Sequence, residues 1–173
     1  MASIRKAAAY SKRKVTPYTR ISKKRHKSYI KTVPPQKIVK FKMGEGKNLH
    51  HELIVITTEK VQIRDSALEA CRQYLNKKME KELVNQYIFK VVPFPHHIQR
   101  ENKMLTAPGA DRMQTGMQLS FGKSVGKSAI LKKDGEIFKI SLATPKAVQF
   151  VRKIIKQVKS KLPSKTKILY KNI

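Results

Sequence analysis

The positive charge of this chain is concentrated at its two ends, and this separation limits how the chain can fold on its own. Residues 1–44 contain 14 Lys or Arg, residues 146–173 contain nine, and neither segment contains an Asp or Glu. The ends therefore hold 23 of the 28 net positive charges, whereas residues 45–145 have 16 basic and 11 acidic residues, as in an ordinary globular segment. Because like charges repel in a compact monomer, we expect a polyanion, nucleic acid foremost, to complete the folded state.

The basic N-terminal arm, residues 1–35, has Tyr10, Tyr18 and Tyr29 spaced among its cations. Cations neutralise phosphates and aromatic rings stack on unpaired bases, which favours RNA; no zinc-finger, helix-turn-helix or zipper spacing indicates DNA. A solvated disordered tail is the main alternative, and a nuclear-type address or membrane-surface patch is less favoured. The arm residues predicted to bind RNA are Arg5, Lys6, Lys12, Arg13, Lys14, Tyr18, Arg20, Lys23, Lys24 and Arg25.

Residues 36–173 are predicted to form a single α+β domain, in which two helices pack on a mixed or antiparallel sheet. Ser66 and Glu69 have the spacing of a capping box at the start of the first helix, and the apolar stripe of that helix includes Cys71 as a core residue. The second helix is predicted to begin at Thr144-Pro145 and to end before Pro163. Strands are predicted at residues 36–43, 52–58, 87–92, 117–121, 128–131 and 136–142.

Two further pairs of cations are predicted to contact RNA phosphates. The apolar stripe of the second helix leaves Arg152 and Lys156 facing outward. A glycine turn over residues 122–128 presents Lys123 and Lys127; it resembles a Walker A loop but has three rather than four residues between its glycines. An NTP-dependent enzyme is therefore disfavoured, and since no catalytic or metal-ligand spacing is recognised, no cofactor or metal is predicted.

Residues 96–116 form a stretch of about 20 residues without clear periodicity, which predicts a long functional loop. An unrecognised helix is the alternative. The basic residues of this segment are nearly balanced by Glu101 and Asp111, which is not typical of a simple phosphate clamp. Its amide and small side chains favour contact with a shaped RNA surface.

An ordered series of short segments runs through the chain: PYTR at 17–20, VPPQKI at 33–38, SALEA at 66–70, PHHIQRENKM at 95–104, GADR at 109–112, TGM at 115–117 and FGK at 121–123. The series resembles the universal large-subunit ribosomal proteins of the L-sixteen family, in their archaeal and eukaryotic (L-ten-e) branch. The length of the chain is closer to that of the archaeal members.

This resemblance implies an α/β-hammerhead-type α+β domain, embedded in large-subunit rRNA near the tRNA sites and the peptidyl transferase region of cytoplasmic ribosomes. It implies that the long loop helps to position the acceptor arm of the incoming aminoacyl-tRNA. The expected partners are rRNA, transiently the tRNA, and neighbouring ribosomal proteins, with no enzymatic activity, membrane or small-molecule substrate. The alternative is a free RNA-binding factor or RNA chaperone. The loop residues assigned by the resemblance are Arg100, Asn102, Lys103, Gly109, Asp111 and Arg112.

Overall fold

The computed structural model describes residues 5–13, 17–18, 32–102 and 122–173, and it confirms the α+β class. The helices in these ranges are α1 (Ala8–Ser11), α2 (Asp65–Glu82) and α3 (Pro145–Val158), and a 3-10 turn (Lys159–Lys161) follows α3. The strands are β1 (Lys42–Met43), β2 (His51–Thr57), β3 (Val61–Arg64), β4 (Tyr87–Val91), β5 (His97–Glu101), β6 (Lys123–Leu131), β7 (Glu136–Leu142) and β8 (Thr166–Asn172).

The larger of two sheets has five antiparallel strands in the order β1-β4-β7-β2-β8. Residues 52–57 of β2 are all buried, and β2 lies between β7 and β8 in the sheet. This burial explains the continuous apolar run of residues 53–56, because a strand covered on both faces needs no polar alternation. Phe89 of β4 and Phe138 of β7 meet edge to face in the core, with ring centroids 5.6 Å apart.

The smaller sheet contains three antiparallel strands in the order β3-β6-β5. β3 continues directly into α2, which anchors this sheet to the helical layer. The sequence predicts none of α1, β3, β5 and β8, and only the last four residues of β6. Short or polar strands such as these have too few alternating residues for periodicity to identify them.

Helix α2 buries the predicted stripe, and Leu68, Cys71, Leu75 and Met79 are fully buried. Cys71 is confirmed as a core residue, and its burial raises the pKa of the thiol to about 12. The predicted capping box is wrong, since the helix already begins at Asp65. The Glu69 side chain is not free to reach back along the helix, because it accepts a hydrogen bond from Nε of Arg72 at 2.8 Å.

Helix α3 begins as predicted, with Oγ1 of Thr144 accepting a hydrogen bond from N of Ala147 at 3.4 Å and proline in the first turn. It ends at Val158, four residues earlier than predicted, because the chain tightens into the 3-10 turn and becomes extended at Leu162.

The predicted strand over residues 36–43 pairs only at Lys42–Met43. The backbone N of Lys37 donates instead to the Asp65 carboxylate at 3.0 Å, and Ile38 is buried in the core. The predicted strand over residues 117–121 lies outside the described residues.

Candidate nucleic-acid interface

The first part of the basic arm is docked on the smaller sheet. Helix α1 contacts β3, and the Tyr10 ring is buried with 9% of its surface exposed. The Tyr10 hydroxyl donates to the carbonyl of Arg100 at 3.3 Å, and the guanidinium of Arg64 lies 5.1 Å from the ring centroid. Tyr10 therefore packs within the protein, and its ring is not available to stack on a base.

An ion pair with a buried carboxylate secures this segment. Nε of Arg5 lies 3.6 Å from Oε1 of Glu101, and the backbone N of Arg5 donates to Oε2 at 3.3 Å. The Arg64 guanidinium donates to the carbonyl of Arg5 at 2.7 Å. The pKa of Tyr10 is raised, mainly by burial and then by the negative charge of Glu101. Glu101 thus pairs with a cation of the arm. This pairing accounts for an acidic residue in a segment predicted to contact RNA.

A second contact fixes Tyr18 at the edge of the smaller sheet. Its backbone N donates to Nδ1 of His97 at 2.9 Å, and its carbonyl accepts from N of Ile98 at 2.8 Å. Burial, followed by the nearby charge of Arg100, lowers the pKa of His97, which keeps its ring neutral and able to accept this bond. The Arg100 guanidinium covers the Tyr18 ring at 3.8 Å from its centroid.

The long segment predicted as a loop over 96–116 begins as strand β5, so the prediction is wrong for its first residues. Arg100 pairs with Ser124 of β6 and Glu101 with Lys123, and the two strands form the base from which the segment departs. Arg100 is half-buried and Asn102 is exposed at this base. The other predicted loop residues, Lys103, Gly109, Asp111 and Arg112, lie outside the described residues.

Gly122 closes the base of this segment and requires glycine. Its φ is +83°, and a Cβ at this position would lie 2.7 Å from the carbonyl carbon of Glu101. The predicted glycine turn over 122–128 is wrong, because residues from Lys123 onward form the extended strand β6. Lys123 is exposed and Lys127 is half-exposed on this strand. A Walker A loop would instead form a turn between a strand and a helix, so the backbone here does not match a nucleotide-binding loop.

The C-terminal cations form an exposed positive surface in the described part of the chain. Arg152 and Lys156 are exposed on α3, as predicted, while its opposite stripe is buried. Strand β8, which sequence reasoning missed, adds exposed Lys167 and Lys171 at the edge of the larger sheet. None of the nine Lys or Arg between 146 and 173 forms a salt bridge with another described residue, whereas Arg5 and Lys12 of the arm pair with Glu101 and Glu59.

The other predicted RNA-binding residues of the arm divide into two groups. Lys6, Lys12 and Arg13 are exposed on the docked segment around α1. The second group lies outside the described residues and comprises Lys14, Arg20, Lys23, Lys24 and Arg25.

Comparison with known proteins decides the family. Residues 16–169 match the family described as "Ribosomal protein L16p/L10e". The chain belongs to this family. The family resemblance seen in the sequence is thereby confirmed. The match includes α2, α3 and every strand except the last three residues of β8, and it begins after α1.

Three relatives of this L16p/L10e protein are each named "Large ribosomal subunit protein uL16". That of Sulfolobus acidocaldarius is 41% identical over 95% of this chain and 92% of its own. That of Thermofilum pendens is 39% identical over 88% of both chains, and that of Methanospirillum hungatei is 38% identical over 88% of this chain and 91% of its own. No helix within the described part of this L16p/L10e protein is long and apolar enough to cross a membrane.

Proposed function

We propose that this protein is a structural constituent of the large ribosomal subunit, located in cytoplasmic ribosomes, which binds large-subunit rRNA and neighbouring ribosomal proteins and has no chemistry of its own. The names of its relatives support the assignment to the large subunit. The main structural support is the C-terminal surface of α3 and β8, where exposed cations have no carboxylate partner among the described residues.

Unpaired cations on a rigid support are well suited to phosphates. The buried stripe of α3 packs on β2 and β7, so Arg152 and Lys156 keep a fixed spacing relative to the sheet. Binding RNA phosphates releases condensed counterions without breaking an internal salt bridge, which would otherwise reduce the gain. In the docked arm, by contrast, the charges of Arg5 and Lys12 are partly offset by the carboxylates of Glu101 and Glu59.

For the segment between β5 and β6 we propose contact with the aminoacyl-tRNA acceptor arm near the peptidyl transferase region. This role rests on the family resemblance. The support from the fold is that β5 and β6 pair up to Glu101–Lys123, so the segment departs from a fixed base. Fixed ends limit the conformational entropy that a connecting segment can lose on binding a ligand.

The proposal is tested by reconstituting large subunits with the full chain and with a variant in which a short Gly-Ser linker replaces residues 103–121. The replacement leaves Glu101 and its ion pair with Arg5 intact, which a deletion beginning at 101 would not. We expect both proteins to remain on the subunit through a high-salt wash and to give the same rRNA footprint, while the linker variant is impaired in aminoacyl-tRNA binding.

Two results would contradict the proposal. Release of the unaltered protein by a high-salt wash would favour a free RNA-binding factor. Unchanged tRNA binding by the linker variant would refute the role of the segment while leaving the rRNA-binding role in place.

A further inference from the structure

Three rings lie together on a surface that is separate from the cationic face of α3. Phe41 and Phe94 are stacked, with centroids 5.4 Å apart and planes inclined by 22°. Phe94 also contacts His96, with centroids 4.4 Å apart and planes inclined by 45°. Phe41 is half-buried against the core, Phe94 is 44% exposed and His96 is exposed, so the group extends from the core to solvent.

Prolines hold this group in place. Phe94 lies between the buried Pro93 and Pro95, and N of His96 donates to the carbonyl of Phe94 at 3.0 Å, forming a turn centred on Pro95. The φ of proline, about −65°, suits the centre of such an inverse γ-turn. The rings of Phe94 and His96 are therefore brought together by a backbone with little freedom to lose on binding.

Two further exposed apolar side chains lie in the chain segments that carry the rings, at the β1–β4 edge of the five-stranded sheet. Val39 is 77% exposed two residues before Phe41, and Val92 is 39% exposed two residues before Phe94. N of Val91 donates to the carbonyl of Phe41 at 2.8 Å, which joins the two chain segments at this edge. A rimmed apolar patch that is fixed in place and open to solvent is typical of a contact surface.

The charge around the patch indicates the type of partner. No Asp or Glu occurs in residues 31–44 or 83–100, the two segments that contain the rings. Lys40, Lys42 and Lys90 are exposed there, and Lys42 lies opposite Lys90 across the β1–β4 pair. Lys42 and Lys90 alternate along their strands with Phe41, Phe89 and Val91, so they flank this edge of the sheet on the face away from the core. Rings at an edge that carries cations, in segments without an acidic residue, suit a nucleic acid, since aromatic side chains stack on unpaired bases while cations hold the phosphates. An apolar protein segment would not require the cations.

We propose that Phe41, Phe94 and His96 form a stacking platform that binds an unpaired RNA base, with His96 at its outer end. The platform extends the proposed function, because rRNA is the RNA that this chain meets in the ribosome. It forms a second point of attachment, at the opposite edge of the larger sheet from β8.

The test compares binding of the full chain to an oligoadenylate of about 12 nucleotides and to an abasic strand of the same length, at about 0.1 M salt. Loss of a stacked base typically costs about 1–3 kcal/mol, which corresponds to roughly 5- to 150-fold in affinity. We expect Phe94→Ala and His96→Ala each to weaken oligoadenylate binding at least about fivefold. Neither should change binding of the abasic strand.

Phe94→Tyr retains the ring and is expected to bind like the unaltered protein. Val39→Ala removes exposed apolar surface from the segment that carries Phe41 without removing a ring, and it should also have no effect. Equal oligoadenylate binding by Phe94→Ala and the unaltered protein would overturn the platform, as would a weakening by Val39→Ala as large as that by Phe94→Ala. Circular dichroism of each variant confirms that it is folded.

The platform and the proposed function fail in different ways. Ring-dependent oligoadenylate binding by a protein that does not assemble into large subunits would refute the proposed function alone. Normal assembly together with ring-independent oligoadenylate binding would refute the platform alone.

Discussion

Replacing Arg152, Lys153 and Lys156 with Gln removes three cations from the exposed face of α3 and should weaken RNA binding in a salt-dependent way. All three side chains are exposed and have no salt bridge to another residue in the ranges that the structure describes. We therefore expect the free energy of unfolding to change by no more than about 0.5 kcal/mol per substitution.

The size of the binding effect follows from counterion release. Removing one phosphate-binding cation reduces the slope of log affinity against log salt by roughly 0.7 to 0.9, so removing three reduces it by roughly 2.1 to 2.7. If the two proteins bind equally at about 1 M salt, the variant is about 100- to 500-fold weaker at about 0.1 M. The assay is filter binding to a large-subunit rRNA transcript over a salt series.

A matched control removes the same charge from a different helix. Lys77, Lys78 and Lys81 are exposed on α2, where Glu80 and Glu82 lie nearby in the sequence. Their replacement with Gln should change the salt slope less. Equal slopes for the two triple variants would refute the assignment of phosphate contacts to α3, and an unchanged slope for the α3 variant would do so directly.

Three further predictions concern the smaller sheet and the core. Gly122→Ala should lower the free energy of unfolding in urea by at least about 1 kcal/mol because φ is positive there, whereas Gly126→Ala, with open space around its Cβ, should not; equal losses would refute this. Burial lowers the pKa of His97 in the folded state, so the unfolded state binds more protons and stability is lost as pH falls below about 6.5. The hydrogen-exchange protection of the Tyr18 amide should fall over the same pH range, because a protonated His97 ring cannot accept its hydrogen bond. Protection that does not depend on pH would contradict this hydrogen bond. Cys71, with a pKa raised to about 12, should react with a disulfide reagent near about pH 8 only as the protein unfolds; rapid labelling of the folded protein would contradict its burial.

Helices α2 and α3 and the central strands could be predicted because their signals are local. The stripe from Leu68 to Met79 and the cap at Thr144 each depend on residues within a few positions along the chain. The prediction of a capping box failed although Ser66 and Glu69 have the spacing of that motif. The Glu69 carboxylate instead accepts a hydrogen bond from the Arg72 guanidinium, a stronger partner about one turn later in the helix. Spacing alone does not rank competing partners.

The smaller sheet could not be predicted in the same way, because its stability comes from distant contacts. Gln62, Gln99 and Glu101 are buried polar residues in short strands, and sequence patterns assign such residues to loops. Glu101 is buried because Arg5, which lies 96 positions away in the chain, approaches it after folding. The prediction of a loop at residues 97–101 failed for this reason.

The sequence by itself determined the two-ended distribution of positive charge, the α+β class, the two long helices and the resemblance that the family match confirmed. These properties depend on composition, on local periodicity or on the order of short segments. Only the tertiary structure decided which of the described cations form salt bridges within the protein. Arg5 and Lys12 are paired internally, whereas those of α3 and β8 have no salt-bridge partner among the described residues. The physical reason is that a carboxylate brought within reach offsets part of a cation's charge, and folding sets that distance between residues far apart in the chain.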